Sequence, residues 1–186
     1  IAMSLGLLRF MGRLLFRLEV KGVEIIPEPP YILTPNHASN IDGFVVAAGI
    51  PVNSFMALYF LGFQKYFTNL FTAHLTHLLH VIPIDPDTYL KRSFQMAGHM
   101  LRNGKSICIF PEGGRTIDGK FLPFKKGVGI LAKELNVPLV PAFIKGTYEV
   151  LPKGALRPRL KKISLIFGQP IYPNALSVAQ KPQDMD

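Results

Sequence analysis

Apolar and polar positions follow two rhythms along this chain. In residues 1–18, Leu7, Leu8, Met11, Leu14, Leu15 and Leu18 fill one side of a helical repeat, while Arg9, Arg13 and Arg17 recur every four residues on the other. This spacing predicts an amphipathic helix, either lying among lipid headgroups with its arginines toward anionic lipid or packed on its own domain. Further on, short apolar runs read as strands: Tyr31-Ile32-Leu33, then residues 54–59, 79–84, 106–110, 139–144 and 163–167. Helical spacing occupies residues 90–103 and 128–136, with Gly104 and Asn136 as the expected stops. The alternation predicts an α/β fold with a largely buried sheet. We divide the chain into an N-terminal helix (1–20), one domain (21–179) and a loose polar tail (180–186).

Composition narrows the partners. At 186 residues, 48% of them hydrophobic, the chain suits one domain with a full core. One cysteine, Cys108, excludes an internal disulfide and suits a reducing compartment; it lies in an apolar run and is expected to be buried. The net charge of +9 points to an anionic surface, either a membrane or nucleic acid. Nucleic acid fits less well and is not an expected partner, because the basic residues are scattered and no zinc-finger or RNA-recognition signature occurs. The densest basic stretch, residues 153–162, reads as a solvated loop or a lipid-facing rim. No segment reads as a membrane span: residues 43–64 lack charge but are broken by Pro51, Asn53 and Ser54. A basic leader and cleavage site are not seen, and the start at Ile1 suggests a trimmed or excised piece.

The candidate chemistry begins at His37-Ala38-Ser39-Asn40-Ile41-Asp42. An imidazole works as a base near neutrality when a carboxylate fixes its tautomer and offsets its charge. Positions five apart on one helix point about 140° apart, so the two side chains meet only if a helix begins between them. Ser39 is the expected N-cap, placing His37 in the preceding loop and Asp42 in the first turn. The plainer alternative is that Asp42 only caps a helix and His37 is only a loop histidine. A second block, Phe110-Pro111-Glu112-Gly113-Gly114-Arg115-Thr116, follows a strand, where glycine backbone and an arginine fork suit an anion or simply form a turn.

A Gly-x-Ser-x-Gly elbow is missing, and Gly114-Arg115-Thr116-Ile117-Asp118-Gly119-Lys120 lacks the hydroxyl residue that a phosphate loop needs at position 121. Gly104-Lys105-Ser106 precedes a strand, not a helix. His74, His77 and His80 repeat every three residues, but no carboxylate or cysteine completes a set, so no metal is expected. Phe55, Tyr59, Phe60, Phe63, Tyr66, Phe67 and Phe71 suit an acyl-chain tunnel, a membrane face or ordinary core.

Together these blocks resemble the phospholipid/glycerol acyltransferase family, which includes the lysophosphatidic acid acyltransferases. His37 and Asp42, with Asn36 before them, match the family's His-x4-Asp motif. Residues 110–116 match Phe-Pro-Glu-Gly-Thr-Arg-Ser, with Gly114 and Thr116 substituted. Val137, Pro138 and Pro141 match its Val-Pro-x-x-Pro run, and Phe124-Lys125-Lys126-Gly127 its Phe-Lys-x-Gly stretch. One motif departs: Ile84-Asp85 is followed by Pro86, not by the arginine that family members direct at the acceptor phosphate. The proline form is similar to domains fused to acyl-activating synthetases, which reacylate lysophospholipids such as lysophosphatidylethanolamine.

The resemblance implies a single-domain sandwich with a mainly parallel mixed sheet flanked by helices. It also implies transfer of a fatty acyl group from an acyl-CoA or acyl-carrier-protein thioester to a lysophospholipid hydroxyl, foremost that of 1-acyl-glycerol-3-phosphate. His37 would act as base and Asp42 as its partner. Asn36, Glu112, Gly113, Gly114, Arg115 and Lys125 would form the substrate site, with Arg115 on phosphate, Glu112 organising its loop and backbone donors near the glycines on the oxyanion. Lys91, Arg92 or Lys125 would supply the charge missing at Pro86. No cofactor beyond the acyl donor is implied. The expected setting is the cytoplasmic face of the cell membrane, with the protein peripheral or monotopic. A lipid-binding module that keeps the fold without catalysis is the non-enzymatic alternative.

Overall fold

The structure is a computed structural model describing residues 2–63, 79–84 and 90–174. Seven strands form one sheet: β1 (Glu19–Lys21), β2 (Ile32–Pro35), β3 (Leu58–Phe63), β4 (Val81–Ile84), β5 (Ser106–Cys108), β6 (Leu139–Lys145) and β7 (Ser164–Phe167). Their order is β1-β7-β6-β2-β5-β3-β4, and every pair is parallel except β6 with β7. The helices are α1 (Ala2–Phe16), α2 (Asp42–Gly49), α3 (Val52–Ala57), α4 (Leu90–Arg102), α5 (Gly127–Leu135) and the single turn α6 (Thr147–Val150).

The central strand β2 is buried on both faces, which is why Tyr31-Ile32-Leu33 reads as a continuous apolar run and not as an alternation. One core packs α1 and α2 over Leu33, Cys108, Val140 and Leu165. The other packs α4 and α5 over Ile32 and Ile107 through Ala97, Leu101, Leu131 and Ala132. The chain leaves β2 toward β3 through α2 and α3, and leaves β5 the opposite way toward β6 through α5. In open α/β sheets ligands bind outside the carboxyl ends of the strands, here those of β2 and β5.

Most predicted elements occur within a residue or two of their expected bounds. Asn136 closes α5 in the left-handed conformation, its N–H meeting the carbonyls of Ala132 and Lys133, and Gly104 turns with φ 71° after α4. Residues 54–59 differ from expectation. They divide between α3 and β3 because the short apolar run 55–59 does not display a period by which helix and strand are told apart. The tail 180–186, His74, His77, Tyr66, Phe67, Phe71, Asp85 and Pro86 lie outside the described residues.

Helix α1 packs on its own domain and leaves a second apolar surface exposed. Leu5 and Leu18 are buried, and Leu8 and Phe16 pack on the first core. Leu7, Phe10 and Leu14 remain 60–63% exposed, with Met11 between them, forming one apolar stripe at helical spacing. Arg9 departs from the expected lipid-facing row: its guanidinium donates to the Ile50 carbonyl beyond the end of α2. No helix among the described residues is long and apolar enough to cross a membrane.

Gly146 joins β6 to α6 with φ 95°, and a Cβ there would run into the backbone carbonyl of Lys162. Gly146→Ala should therefore lower the unfolding free energy by about 2–4 kcal/mol in urea melts. A change below about 0.5 kcal/mol, the range of ordinary surface substitutions, would show that this crossover tolerates a side chain.

Candidate active site

Strand β2 delivers Asn36 and His37 to the carboxyl edge of the sheet, where the chain turns into α2. The helix starts at Asp42 after Ile41, with no side-chain cap from Ser39. Ser39 instead donates its hydroxyl to the Leu151 carbonyl at 2.7 Å. The capping work falls to Asp42. One oxygen, Oδ2, accepts the N–H groups of Ala38 and Ser39, each at 2.7 Å, and Nδ1–H of His37 at 2.8 Å. The carboxylate is fully buried, so these charge-assisted bonds and the amino end of α2 compensate its desolvation. Its Oδ1 has no donor among the described residues.

The imidazole is presented, not sealed. His37 retains 22% side-chain exposure and stacks on Phe110, with ring centroids 4.0 Å apart. With Nδ1 committed to Asp42, Nε2 is the nitrogen left to exchange a proton, and it has no hydrogen bond among the described residues. The loop after β5 pins the backbone of the same residue. Glu112 accepts the His37 N–H through Oε1 at 2.8 Å, and Thr116 N–H donates to the His37 carbonyl at 3.1 Å.

Two of the residues expected at the site, Glu112 and Asn36, bond backbone groups with their side chains. Glu112 is buried, and its other oxygen accepts Leu122 N–H at 2.8 Å; both oxygens hold backbone, so it organises the loop without facing substrate. Asn36 is also buried and clamps β6, donating to the Ile144 carbonyl at 3.0 Å and accepting Ile144 N–H at 2.7 Å. Gly113 N–H is likewise engaged, donating to the Phe110 carbonyl, so it is not a donor for an oxyanion.

The remaining residues converge. Gly113 adopts φ 68°, and a Cβ on it would stand 2.6 Å from Nζ of Lys125, which reaches over the glycine. Lys125 N–H also donates to the Pro111 carbonyl, drawing the two blocks together. Gly114 opens onto free space, and Arg115 follows it half-buried. Pro86 and the side chains of Lys91 and Arg92 lie outside the described residues.

The structure gives roles to two residues of the second block to which the sequence assigned none. Phe110, the first residue of that block, is the stacking floor for His37. Thr116 stands for the family's serine, and its hydroxyl keeps the turn: it donates to Asp118 Oδ1 and accepts Gly119 N–H. The shared hydroxyl was the available signal. In that turn the Asp118 carboxyl is held below its ordinary range, first by Lys120 N–H and then by Thr116.

Cys108 lies buried in β5, and burial, followed by the charge of Asp42, pushes its thiol well above the ordinary range; it is therefore not a nucleophile. Phe55 and Phe60 are core, and Phe55 and Tyr59 flank the ring of His80, whose Nδ1–H donates to the Leu58 carbonyl. Among the described residues no three His, Cys, Asp or Glu side chains gather as a metal set. A cavity of about 230 Å³ lined by Pro30, Leu101, Arg102 and Leu135 opens at the amino ends of β2 and β6, away from this chemistry.

Comparison with known proteins identifies the family. Residues 17–145 match the model of the family described as Acyltransferase. A 1-acyl-sn-glycerol-3-phosphate acyltransferase of Limnanthes douglasii is 31% identical over 141 residues, covering 75% of this chain and 50% of that protein. One from Limnanthes alba is 30% identical over 155 residues, covering 83% and 54%. The chain thus spans about half the length of these curated relatives. The crystal structure of the 1-acyl-sn-glycerophosphate acyltransferase PlsC from Thermotoga maritima superposes with a TM-score of 0.74 at 26% identity, over 93% of this chain and 71% of that one.

Glu112→Ala strips the acceptor from two backbone donors on separate loops. It should cost about 2–4 kcal/mol of stability, at roughly 1–2 kcal/mol for each orphaned donor, measured by chemical denaturation. Glu112→Gln retains one acceptor oxygen and should cost about half as much. Equal and negligible losses would remove Glu112 from the frame of the site.

Proposed function

Because the chain belongs to the acyltransferase family, we propose that it moves a fatty acyl group from an acyl-CoA or acyl-carrier-protein thioester to the free hydroxyl of a lysophospholipid, foremost 1-acyl-glycerol-3-phosphate. The carrying observation is the His37–Asp42 contact of 2.8 Å, with the ring still open to solvent at the carboxyl edge of the sheet. The names of the relatives support the acceptor.

An alcohol becomes a good nucleophile as its proton leaves. In this mechanism Nε2 of His37 takes that proton while the hydroxyl oxygen attacks the thioester carbonyl. Asp42 holds the ring through Nδ1 and offsets the imidazolium charge, as in a serine-protease triad. The tetrahedral intermediate then expels the thiolate, which recovers the proton from Nε2. Transfer is direct, and the enzyme forms no covalent intermediate. Arg115 and Lys125 bind the acceptor phosphate as a forked and a point cation. Lys125 is the better stand-in for the arginine replaced by Pro86, because its ammonium lies over Gly113 beside the anion-binding loop.

The setting is a membrane surface, with the protein peripheral or monotopic on the cytoplasmic face where acyl thioesters are supplied. The exposed Leu7-Phe10-Leu14 stripe and the net charge of +9 support attachment to anionic lipid. Pro86 favours one second reading, a larger-headgroup acceptor such as lysophosphatidylethanolamine within a fused acyl-activating protein.

Thiol release from an acyl thioester should depend on added acceptor; equal release without acceptor identifies a thioesterase. A panel of lysophosphatidic acid and larger-headgroup lysolipids, run with one acyl-CoA and one acyl-carrier protein, ranks acceptor and donor. His37→Ala should lower transfer by about 10²–10⁴-fold while liposome flotation persists. Unchanged transfer would dismiss His37 as the base. Lys125→Ala should raise KM for a phosphomonoester acceptor by roughly tenfold or more, and far less for a zwitterionic one.

A further inference from the structure

The crossover from β6 to β7 carries an unusual surface. Between Val150 and Ile163 it contains five basic residues, Lys153, Arg157, Arg159, Lys161 and Lys162, and no acidic one. Two of its leucines sit among these cations and are turned outward: Leu156 is 96% exposed and Leu160 68%. Residues 153–162 are exposed without a break. Lys162 is committed to Glu19 at 2.6 Å, and that pairing holds the Glu19 carboxyl below its ordinary range. Among the described residues the other four cations make no salt bridge.

The loop is anchored at both ends, and the anchors fix where it stands. Its first residue, Leu151, receives the Ser39 hydroxyl from the turn between His37 and Asp42. Its far end is tied to α1, where Ile163 N–H donates to the Phe16 carbonyl. Arg159 N–H donates to the Val150 carbonyl, folding the basic tip back over its own base. The leucine–arginine tip therefore stands on the same sheet edge as the catalytic pair and adjoins the end of the amphipathic helix.

We propose that residues 153–161 form a second membrane-docking element, in which Leu156 and Leu160 enter the interfacial layer while Arg157, Arg159 and Lys161 bind anionic headgroups. Charge complementarity selects this occupant: an apolar leucine pair within an all-cationic loop fits a lipid interface, where both kinds of contact are satisfied together. Nucleic acid would use the cations but leave both leucines in water. With α1 as the first contact, the loop makes attachment two-point and turns the His37 edge toward the lipid that carries the acceptor. The inference rests on the membrane setting given above and adds the surface that sets orientation.

The test measures partition of the whole chain onto two vesicle types, phosphatidylcholine alone and an equal mixture with phosphatidylglycerol. Wild type should prefer the mixed vesicles. The triple variant R157S/R159S/K161S should lose at least about tenfold in partition on mixed vesicles, and little on neutral ones. The double variant L156S/L160S should lose about tenfold on both. A Leu7→Ser/Phe10→Ser variant should add its own loss to either, because the contacts are separate. Urea midpoints and transfer between short-chain, water-soluble substrates should stay at wild-type values for both loop variants. Loop variants that partition like wild type overturn the docking role while leaving α1 attachment intact. Tighter wild-type binding to single-stranded RNA than to mixed vesicles, lost in the triple variant, overturns it in favour of nucleic acid. Loss of water-soluble transfer in wild type would instead fault the acyltransferase reading, and the vesicle result would stand apart from it.

Discussion

The site depends on one buried oxygen. Oδ2 of Asp42 takes three donors at once, two from the backbone of Ala38 and Ser39 and one from the ring of His37. A fully buried carboxylate is costly unless its charge is matched, and it is most cheaply matched by donors already fixed in place. The tight turn between β2 and α2 supplies them, and the amino end of α2 adds its dipole because Asp42 is the first helical residue. The interaction that starts the helix is thus the one that orients the imidazole. Local folding and catalytic geometry cannot be varied separately here.

The opposite side of the site is a second clamp. Glu112 and Thr116 hold the N–H and the carbonyl of residue 37, and Asn36 ties the preceding residue to β6. These contacts exist because β2 lies between β5 and β6, so the loops leaving all three strands meet at one edge. Polar side chains that resemble substrate ligands are mostly consumed in building that frame. Among the described residues, Nε2 of His37, the exposed Lys125 and the open approach over Gly114 face outward at this edge, with Arg115 half-buried next to that glycine. That division suits a reaction needing one mobile proton and one anchored anion.

Legibility varied with the range of the contact. Strands β2 and β5 were readable as apolar runs because both of their faces are covered, β6 and β7 because one face is buried and the other still carries apolar residues, and α4 and α5 from period and stops. The second half of α3 was read as strand because an apolar run as short as residues 55–59 satisfies either period. Ser39 was read as the cap, since serine before a helix usually is one, but its hydroxyl found Leu151, 112 positions away. Arg9 was assigned to lipid by its place in a row of arginines and was taken by a carbonyl of a neighbouring helix. Glu112 and Asn36 bond backbone groups 75 and 108 positions distant, and no spacing rule reports on such partners.

By itself, the order of residues determined the His37–Asp42 pair and the helix start that brings it together, because both partners lie within one turn and obey local geometry. It also determined which runs would be buried and which helix would have a greasy outer stripe. Only the tertiary structure decided what surrounds that pair. The order of strands in a sheet is set by long-range packing, and it alone placed the loop of Glu112 against residue 37, Lys125 over Gly113 and the basic crossover beside the site. Chemistry held within five residues is written in the sequence; chemistry that needs distant backbone as its partner exists only once the sheet has closed.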